Sequence, residues 1–141
     1  AAANTDELID VLVEELDLLA AAADAFETTL LIHPRVLGDF LDYNDFLDVA
    51  DAAVEQLGLT GEVQVASFHP RYQFAGTEPD DIENFTNRSP YPTLHLLREA
   101  SIERAVAAYP DTDRIFEKNI ETLRRLGRAG WDALGLAAPE V

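Results

Sequence analysis

The sequence contains no cysteine and no methionine, and only three of its 141 residues are histidine. The absence of cysteine excludes disulfide bonds, zinc thiolates and a thiol nucleophile within this chain. It also fits a cytoplasmic protein, which is the location that we expect. No apolar run approaches the roughly 20 residues that a membrane-spanning helix needs, so no membrane partner is expected.

Positive charge is also scarce. Ten Lys and Arg residues stand against 27 Asp and Glu residues, which gives a net charge of −17. Because such a chain repels polyanions, we expect no nucleic-acid partner. The imbalance is concentrated in residues 1–62, which hold 15 acidic residues and a single basic one, Arg35. We interpret this half as a solvated surface, and the alternative is that it docks a basic protein partner.

The hydrophobic pattern predicts a single domain of alternating helices and strands. The predicted helices cover residues 4–26, 37–59, 91–110 and 111–136, and the predicted strands cover residues 27–34 and 62–70. The 28 residues from Pro34 to Gly61 give the spacing of a parallel βαβ crossover. The expected fold is therefore α/β: a small parallel sheet with packed helices and a helical C-terminal part.

Apolar stripes predict which helix faces are buried. They consist of Leu8, Leu12, Leu16, Leu19 and Ala23 in the first helix, and of Phe40, Asn44, Leu47, Ala50 and Val54 in the second. Gly58 is placed to end the second helix and Pro110 to end the third. Because two strands alone make a marginal sheet, we expect a missing strand to come from an upstream N-terminal segment or from another chain.

Both predicted strands end with the same tripeptide, His-Pro-Arg, in "LLIHPRV" and "ASFHPRY". Ligands bind at the carboxyl ends of the strands in open α/β sheets. His33 and His69 are therefore expected to converge there, with Arg35 and Arg71 beside them. His69 is the first candidate for a general acid or base, and His33 is its partner. The alternative is that His-Pro only stops each strand and that the arginine is a surface charge.

The third histidine, His95, stands four residues before Glu99 in a predicted helix. This spacing places the two side chains in contact, so that Glu99 can raise the basicity of His95. We add both to the candidate catalytic residues, with a structural pair at the core edge as the alternative. Three histidines and a glutamate can also ligate Zn, Fe or Mn.

The arginines near the histidines indicate whether the site would bind a cation or an anion. Each histidine has an arginine within three residues, at Arg35, Arg71 and Arg98. Guanidinium groups disfavour a metal ion and bind phosphate or carboxylate through paired hydrogen bonds. We therefore predict an anionic small molecule as the partner and assign no metal ligand, while the cofactor remains unknown.

The segment from residue 72 to 92 is rich in Asn, Asp, Thr and Ser, and long irregular segments in compact domains are usually functional or disordered. Its aromatic residues indicate that it packs against the domain. Four of its polar residues are candidates for lining a ligand site: Asn84, Asn87, Arg88 and Ser89. The alternative is that these side chains only satisfy backbone groups.

Two stretches, "FHPRYQFAGTEPDDIENFTNRSPYPTLHLLREASIERAV" and "ETTLLIHPRVLGDFLDYNDFLDVAD", resemble the bacterial domain of unknown function 1415 family. The resemblance covers residues 5 to 127. It implies a bacterial cytoplasmic protein but no reaction. It also implies an N-terminal segment with an Asn-Leu-Cys-Pro-Phe motif and a strand, which this sequence lacks, so that part of the site is expected to lie outside it.

The leading hypothesis is a small cytoplasmic enzyme that acts on a phosphorylated or carboxylated metabolite. Arg35, Arg71 and Arg88 would bind the anion, with Arg98 as a further candidate. Two alternatives stay open. One is a non-catalytic module that binds an anionic ligand in the same place, and the other is an acidic protein-interaction domain.

Overall fold

The computed structural model describes residues 1–22, 24–109 and 111–137. In chain order the elements are α1 (Thr5–Ala21), β1 (Thr28–Ile32), α2 (Phe40–Gln56), β2 (Val63–Phe68), a 3₁₀ helix (Ile82–Asn87), β3 (Thr93–Arg98), α3 (Glu99–Ala108) and α4 (Asp113–Ala133). Helices and strands are mixed, and the predicted α/β class is correct. None of the helices in these ranges is long and apolar enough to cross a membrane.

The first helix forms as its sequence predicts. The Asn4 side chain accepts a hydrogen bond from the Glu7 backbone N–H at 2.9 Å and caps α1. The predicted stripe of Leu8, Leu12, Leu16 and Leu19 is fully buried. Ala23, the last member of that stripe, lies outside the described residues.

The prediction of a parallel sheet is wrong. The sheet has three strands in the order β1-β3-β2, and β3 runs antiparallel to both neighbours. Leu30 and Ala66 both pair with His95 of the central strand. The two predicted strands thus point the same way, but they are not adjacent. The third strand, β3, belongs to this chain and lies between β1 and β2 in the sheet, whereas we expected it to come from an upstream segment or another chain.

The central strand was missed because residues 91–110 were predicted to form one helix. They form β3 and then α3, which begins at Glu99. Leucine and arginine have high helix propensities, but a segment that can pair on both edges gains a full set of ladder hydrogen bonds. Leu94 and Leu96 alternate into the core and are fully buried. The predicted helix end at Pro110 lies outside the described residues.

The buried face of α2 differs from the predicted one. Asn44 is exposed and not buried as expected. The buried residues are Tyr43, Phe46, Ala50, Ala53 and Val54. Gly58 follows the helix end with a φ of 71°, a left-handed conformation that suits glycine, as predicted.

The last helix packs on the 3₁₀ helix rather than on the sheet. The ring centroids of Trp131 and Phe85 are 5.2 Å apart and nearly perpendicular, and Arg124 forms an ion pair with Glu83. Gly127 has a φ of 65° and kinks α4, so its last turns run in a new direction. This contact joins α4 to the 72–92 segment, which contains the 3₁₀ helix.

Candidate functional site

Both His-Pro-Arg segments fold into the same turn at the carboxyl ends of β1 and β2. The Val36 N–H donates to the His33 carbonyl at 3.2 Å, and the Tyr72 N–H donates to the His69 carbonyl at 3.1 Å. Proline thus occupies the second position of each turn, where its fixed φ fits. We call them the first turn (residues 33–36) and the second turn (residues 69–72). They lie at one end of the sheet, on either side of β3.

The two histidines approach each other across Tyr43 of α2. The ring of Tyr43 lies 6.0 Å from that of His33 and 4.9 Å from that of His69. Its hydroxyl donates to the Thr93 carbonyl at 2.7 Å and accepts from the Phe68 N–H at 3.1 Å. Burial raises the pKa of Tyr43 above its usual value, so the phenol stays protonated. Tyr43 therefore connects both turns with the central strand.

His69 is fully buried, and both of its ring nitrogens bind backbone groups. Its Nδ1 accepts from the Arg71 N–H at 3.0 Å, which leaves the proton on Nε2 to donate to the Leu37 carbonyl at 3.0 Å. Burial lowers the pKa of His69, although the Leu37 carbonyl opposes this effect. His69 is thus a neutral imidazole that connects the second turn to the residue after the first.

His33 has the opposite tautomer. Its Nδ1 donates to the Val36 carbonyl at 2.9 Å, so the lone pair is on Nε2. That nitrogen is buried and has no hydrogen-bond partner among the described residues, and the side chain is only 1% exposed. Burial lowers the pKa of His33 and keeps the ring neutral.

The residue between the first turn and α2 has an unusual backbone. Leu37 has a φ of 61°, and it is the only non-glycine residue with a positive φ in the described part of the chain. A branched side chain rarely adopts this conformation, and the cost is about 1 to 2 kcal/mol. The Leu37 carbonyl is the group that accepts from His69. The strained residue is therefore the one that connects the segment after the first turn to His69 of the second turn.

The predicted helical pair of His95 and Glu99 does not exist, because His95 lies in β3 and Glu99 begins α3. His95 points away from the face on which Leu94 and Leu96 are buried, and its Nε2 lies 2.7 Å from the Thr28 hydroxyl. Burial lowers its pKa. Because Tyr43 packs on the core face, the sheet separates His95 from the other two histidines.

Arg98 and Glu99 lie at the other end of the sheet. Arg98 pairs with Val63, the first residue of β2, and its guanidinium donates to the Phe26 carbonyl at 2.9 and 2.7 Å. The Glu99 N–H donates to the Glu62 carbonyl at 2.9 Å. These two candidates are therefore not brought to the His-Pro-Arg edge, because β3 runs away from it.

The two turn arginines differ in their surroundings. Arg35 and Arg71 are both exposed. Arg71 lines a cleft of about 450 Å³, which we call the Arg71 cleft, together with Asp39, Phe40 and Asp80. Arg88 lines the same cleft from the 72–92 segment. Arg71 and Arg88 are the two predicted ligand residues that this cleft brings together.

The remaining polar candidates organise the 72–92 segment. Asn84 is fully buried, accepts from the Phe74 N–H at 2.9 Å and donates to the Glu78 carbonyl at 2.7 Å. Asn87 donates to the Ser67 carbonyl at 3.1 Å. In this structure both side chains satisfy backbone groups, which is the alternative that the sequence left open.

Ser89 and Arg88 line a second cavity, of about 370 Å³, beside α4. The Ser89 hydroxyl donates to the Tyr91 carbonyl at 2.7 Å. Arg88 donates from Nε to the Tyr72 carbonyl at 3.2 Å and from Nη2 to the Pro79 carbonyl at 2.6 Å. Burial lowers the pKa of Arg88, and the nearby charge of Arg128 adds to this effect.

The sequence-based prediction missed Tyr43, which connects the two turns. The signal that would have found it is the spacing of Tyr43, Phe46, Ala50 and Val54, which marks one face of a helix better than the stripe that included Asn44. It also missed Asp39, whose side chain caps α2. An aspartate directly before an apolar periodic segment is a typical helix start.

Among residues 1–22, 24–109 and 111–137, no group of three or more His, Asp and Glu side chains could hold a metal ion. No curated protein and no solved structure matches the chain. The family model described as Protein of unknown function (DUF1415) matches residues 1–133, and this confirms the resemblance read from the sequence. The chain therefore belongs to the DUF1415 family.

Proposed function

We propose that this protein binds a small phosphorylated or carboxylated metabolite in the Arg71 cleft. The observation that carries the proposal is the Arg71 guanidinium, which lines the cleft and forms no ion pair with any carboxylate of the described residues. Acidic residues outnumber basic ones 27 to 10 in this chain. An arginine without an acidic partner is therefore available for an external anion.

Arg88 supports the same ligand from a fixed position. A guanidinium has five N–H donors, and two of those in Arg88 bind the carbonyls of Tyr72 and Pro79. These bonds hold the side chain in place while the other donors stay available. A preorganised donor loses little side-chain entropy when it binds an anion.

The carboxylates of the cleft already have partners. Asp39 accepts from the backbone N–H groups of Leu41 and Asp42 at 2.9 and 3.2 Å. Asp80 lies 3.6 Å from Arg128. Their repulsion of an incoming anion is therefore partly offset, whereas Arg71 forms no ion pair in the part of the chain that the structure describes.

Thermal unfolding in the presence of ligands tests this proposal. The probes are inorganic phosphate, glycerol phosphate and citrate, and the proteins are the wild type, Arg71→Gln and Arg35→Gln. Arg35→Gln is a matched control because Arg35 has the same place in the first turn but does not line the cleft. A ligand at about 100 times its Kd stabilises by about 2.7 kcal/mol, which corresponds to about 5 to 10 °C in Tm.

We expect at least one probe to raise the Tm of the wild type and of Arg35→Gln, with the shift lost in Arg71→Gln. The proposal is wrong if no probe stabilises the wild type. It is also wrong if Arg71→Gln keeps the full shift, because the anion would then bind elsewhere.

Catalysis by His69 is the second candidate. The observation that favours it is that His69 lies 5.4 Å from Phe40, which lines the cleft, and is neutral as a general base must be. To accept a proton at Nδ1 it would have to release the Arg71 N–H. An enzyme of this kind would show turnover whose rate falls as His69 is protonated, at a pH lower than the ordinary histidine pKa of 6.5. A bound probe that is recovered unchanged at every pH contradicts it.

A further inference from the structure

The second cavity lies between the 3₁₀ helix and the last turns of α4. Phe85, Trp131 and Leu136 supply apolar walls to its volume of about 370 Å³. This volume falls within the range of about 300 to 1,000 Å³ that is typical of small-molecule sites. We call it the aromatic cavity, because the perpendicular rings of Phe85 and Trp131 form one of its corners.

The kink in α4 shapes this cavity. Gly127 leaves the helical conformation, and the chain then resumes the helix. The next segment presents Arg128, Trp131 and Asp132 to the cavity, at the spacing of i, i+3 and i+4 that places side chains on one helix face. One short helical segment therefore contributes both an aromatic ring and a positive charge.

Two guanidinium groups lie over the same ring. The Cζ atom of Arg88 is 4.1 Å from the centroid of Phe85, and that of Arg128 is 5.1 Å from it. Both arginines line the cavity, and the charge of Arg128 contributes to the lowered pKa of Arg88. The two positive charges therefore repel each other, and an anion that binds both guanidinium groups would offset the repulsion.

Two acidic side chains nearby offset part of this positive charge. Asp132 also lines the cavity, and it accepts from Nε of Arg128 at 3.1 Å. Asp80 approaches the same arginine at 3.6 Å. Both carboxylates therefore act on Arg128 from exposed positions, and the charge of Asp80 also acts on Arg88. Arg88 keeps free donors and is held in place by carbonyl groups.

We propose that the aromatic cavity binds a small aromatic carboxylate. Its ring would pack against Phe85 and Trp131, and its carboxylate would bind Arg88 and Arg128. A planar carboxylate suits the paired hydrogen bonds of a guanidinium, and a flat ring suits the apolar walls. Arg88 lines both sites, but Arg128 lines the aromatic cavity and not the cleft, and Arg71 lines the cleft and not the cavity, so that a variant of either residue tests one site separately.

The chain has a built-in reporter for this site, because Trp131 is its only tryptophan. The experiment is a titration of the full chain followed by tryptophan fluorescence. The probes are benzoate, acetate without the ring, benzyl alcohol without the charge, and benzylamine with the opposite charge. We expect a saturable change with benzoate, and at least tenfold weaker binding of the other three.

Three variants assign the site. Arg128→Gln should weaken benzoate binding at least tenfold and should still fold, since Arg128 is exposed. Arg125→Gln removes an exposed arginine of the same helix that does not line the cavity, and it should bind benzoate as the wild type does. Arg71→Gln should also keep benzoate binding, even where it loses the response to phosphate.

The opposite results overturn the proposal. These are no saturable change with benzoate, equal binding of acetate or benzyl alcohol, or unchanged benzoate binding by Arg128→Gln. A protein that binds benzoate but not phosphate would support the aromatic cavity and contradict the proposed function. A protein that binds phosphate but not benzoate would do the reverse, so the two failures can be distinguished.

Discussion

The two His-Pro-Arg turns share a sequence, a backbone hydrogen bond and a neighbour, yet their histidines differ. His33 donates from Nδ1 to the Val36 carbonyl, whereas His69 accepts at Nδ1 from the Arg71 N–H. Among the described residues, Nε2 of His33 therefore has no hydrogen-bond partner, whereas Nε2 of His69 donates to the Leu37 carbonyl. Three residues are enough to set the turn, but the surrounding backbone sets the tautomer.

The difference gives the histidines different structural roles. His33 closes its own turn, because its one ring hydrogen bond returns to Val36 three residues later. His69 connects two segments that are 32 residues apart in sequence. The second turn is thus hydrogen-bonded through a side chain to Leu37, which precedes α2, and His33 makes no equivalent bond to a distant segment of the described residues.

Replacing each histidine by phenylalanine should separate these roles most strongly. His69→Phe leaves the Arg71 N–H and the Leu37 carbonyl without their partner, and it should lower the unfolding free energy by about 2 to 4 kcal/mol. His33→Phe loses one bond and also removes the unpaired nitrogen. It should cost about 0 to 1.5 kcal/mol, as measured by urea denaturation.

A suitable control is Asn44→Ala, at an exposed site on the same helix as Tyr43, which should change stability by less than about 0.5 kcal/mol. Equal losses for the two histidine variants would show that the bridging bond to Leu37 adds nothing. The distinction between the turns would then be one of geometry only.

Removing the hydroxyl of Tyr43 should have the next largest effect. Tyr43→Phe keeps both ring contacts with the histidines but frees the Thr93 carbonyl and the Phe68 N–H. We expect a loss of about 1 to 3 kcal/mol, because these backbone groups become unsatisfied inside the chain. Amide exchange that stays as slow at Phe68 as in the wild type would contradict this role.

The free energy of unfolding should also decrease as the pH is lowered below 6.5. Burial lowers the pKa of His33 and His69 from the ordinary 6.5, so the unfolded chain binds more protons below that pH. Their contribution is complete above pH 6.5 and declines below it, by at most about 1.4 kcal/mol per pH unit for each histidine. Burial also lowers the pKa of half-buried His95, so His95 acts in the same direction.

Urea denaturation at pH 7.5, 6.5 and 5.5 measures this slope. His33→Phe and His69→Phe should each flatten it. Glu27 and Glu83 also have lowered pKa values, but they titrate below about 4.5 and do not act in this window. A slope that is unchanged in both variants would assign the pH dependence to other groups.

Local patterns predicted most of the fold. The leucine stripe of α1 and the glycine after α2 follow from periodicity and capping alone. The order of the strands does not, because β3 has a helix-tolerant composition and is a strand only through pairing with β1 and β2. Because β3 was predicted to be part of a helix, the sheet was predicted to be parallel, whereas it is antiparallel.

The wrong assignment of β3 also affected the prediction of the site. The convergence of His33 and His69 was expected for neighbouring strands, and it occurs here across β3 because Tyr43 lies between the two rings. The grouping of His95 with Glu99 required a helix and fails with it. No local pattern could show that Asn84 is buried and hydrogen-bonded to the backbone of Phe74 and Glu78. These groups come together only after the segment folds.

The smallest predicted effect concerns the proline that both turns contain. Pro34 and Pro70 each occupy the second position of their turn, and proline there limits the unfolded chain. Pro34→Ala and Pro70→Ala should therefore each lower the unfolding free energy by about 0.5 to 1 kcal/mol. Because Pro70 also lines the aromatic cavity, its variant should lie at the upper end. A loss confined to Pro70→Ala would mean that packing on the cavity, and not the geometry of the tripeptide, holds the second turn.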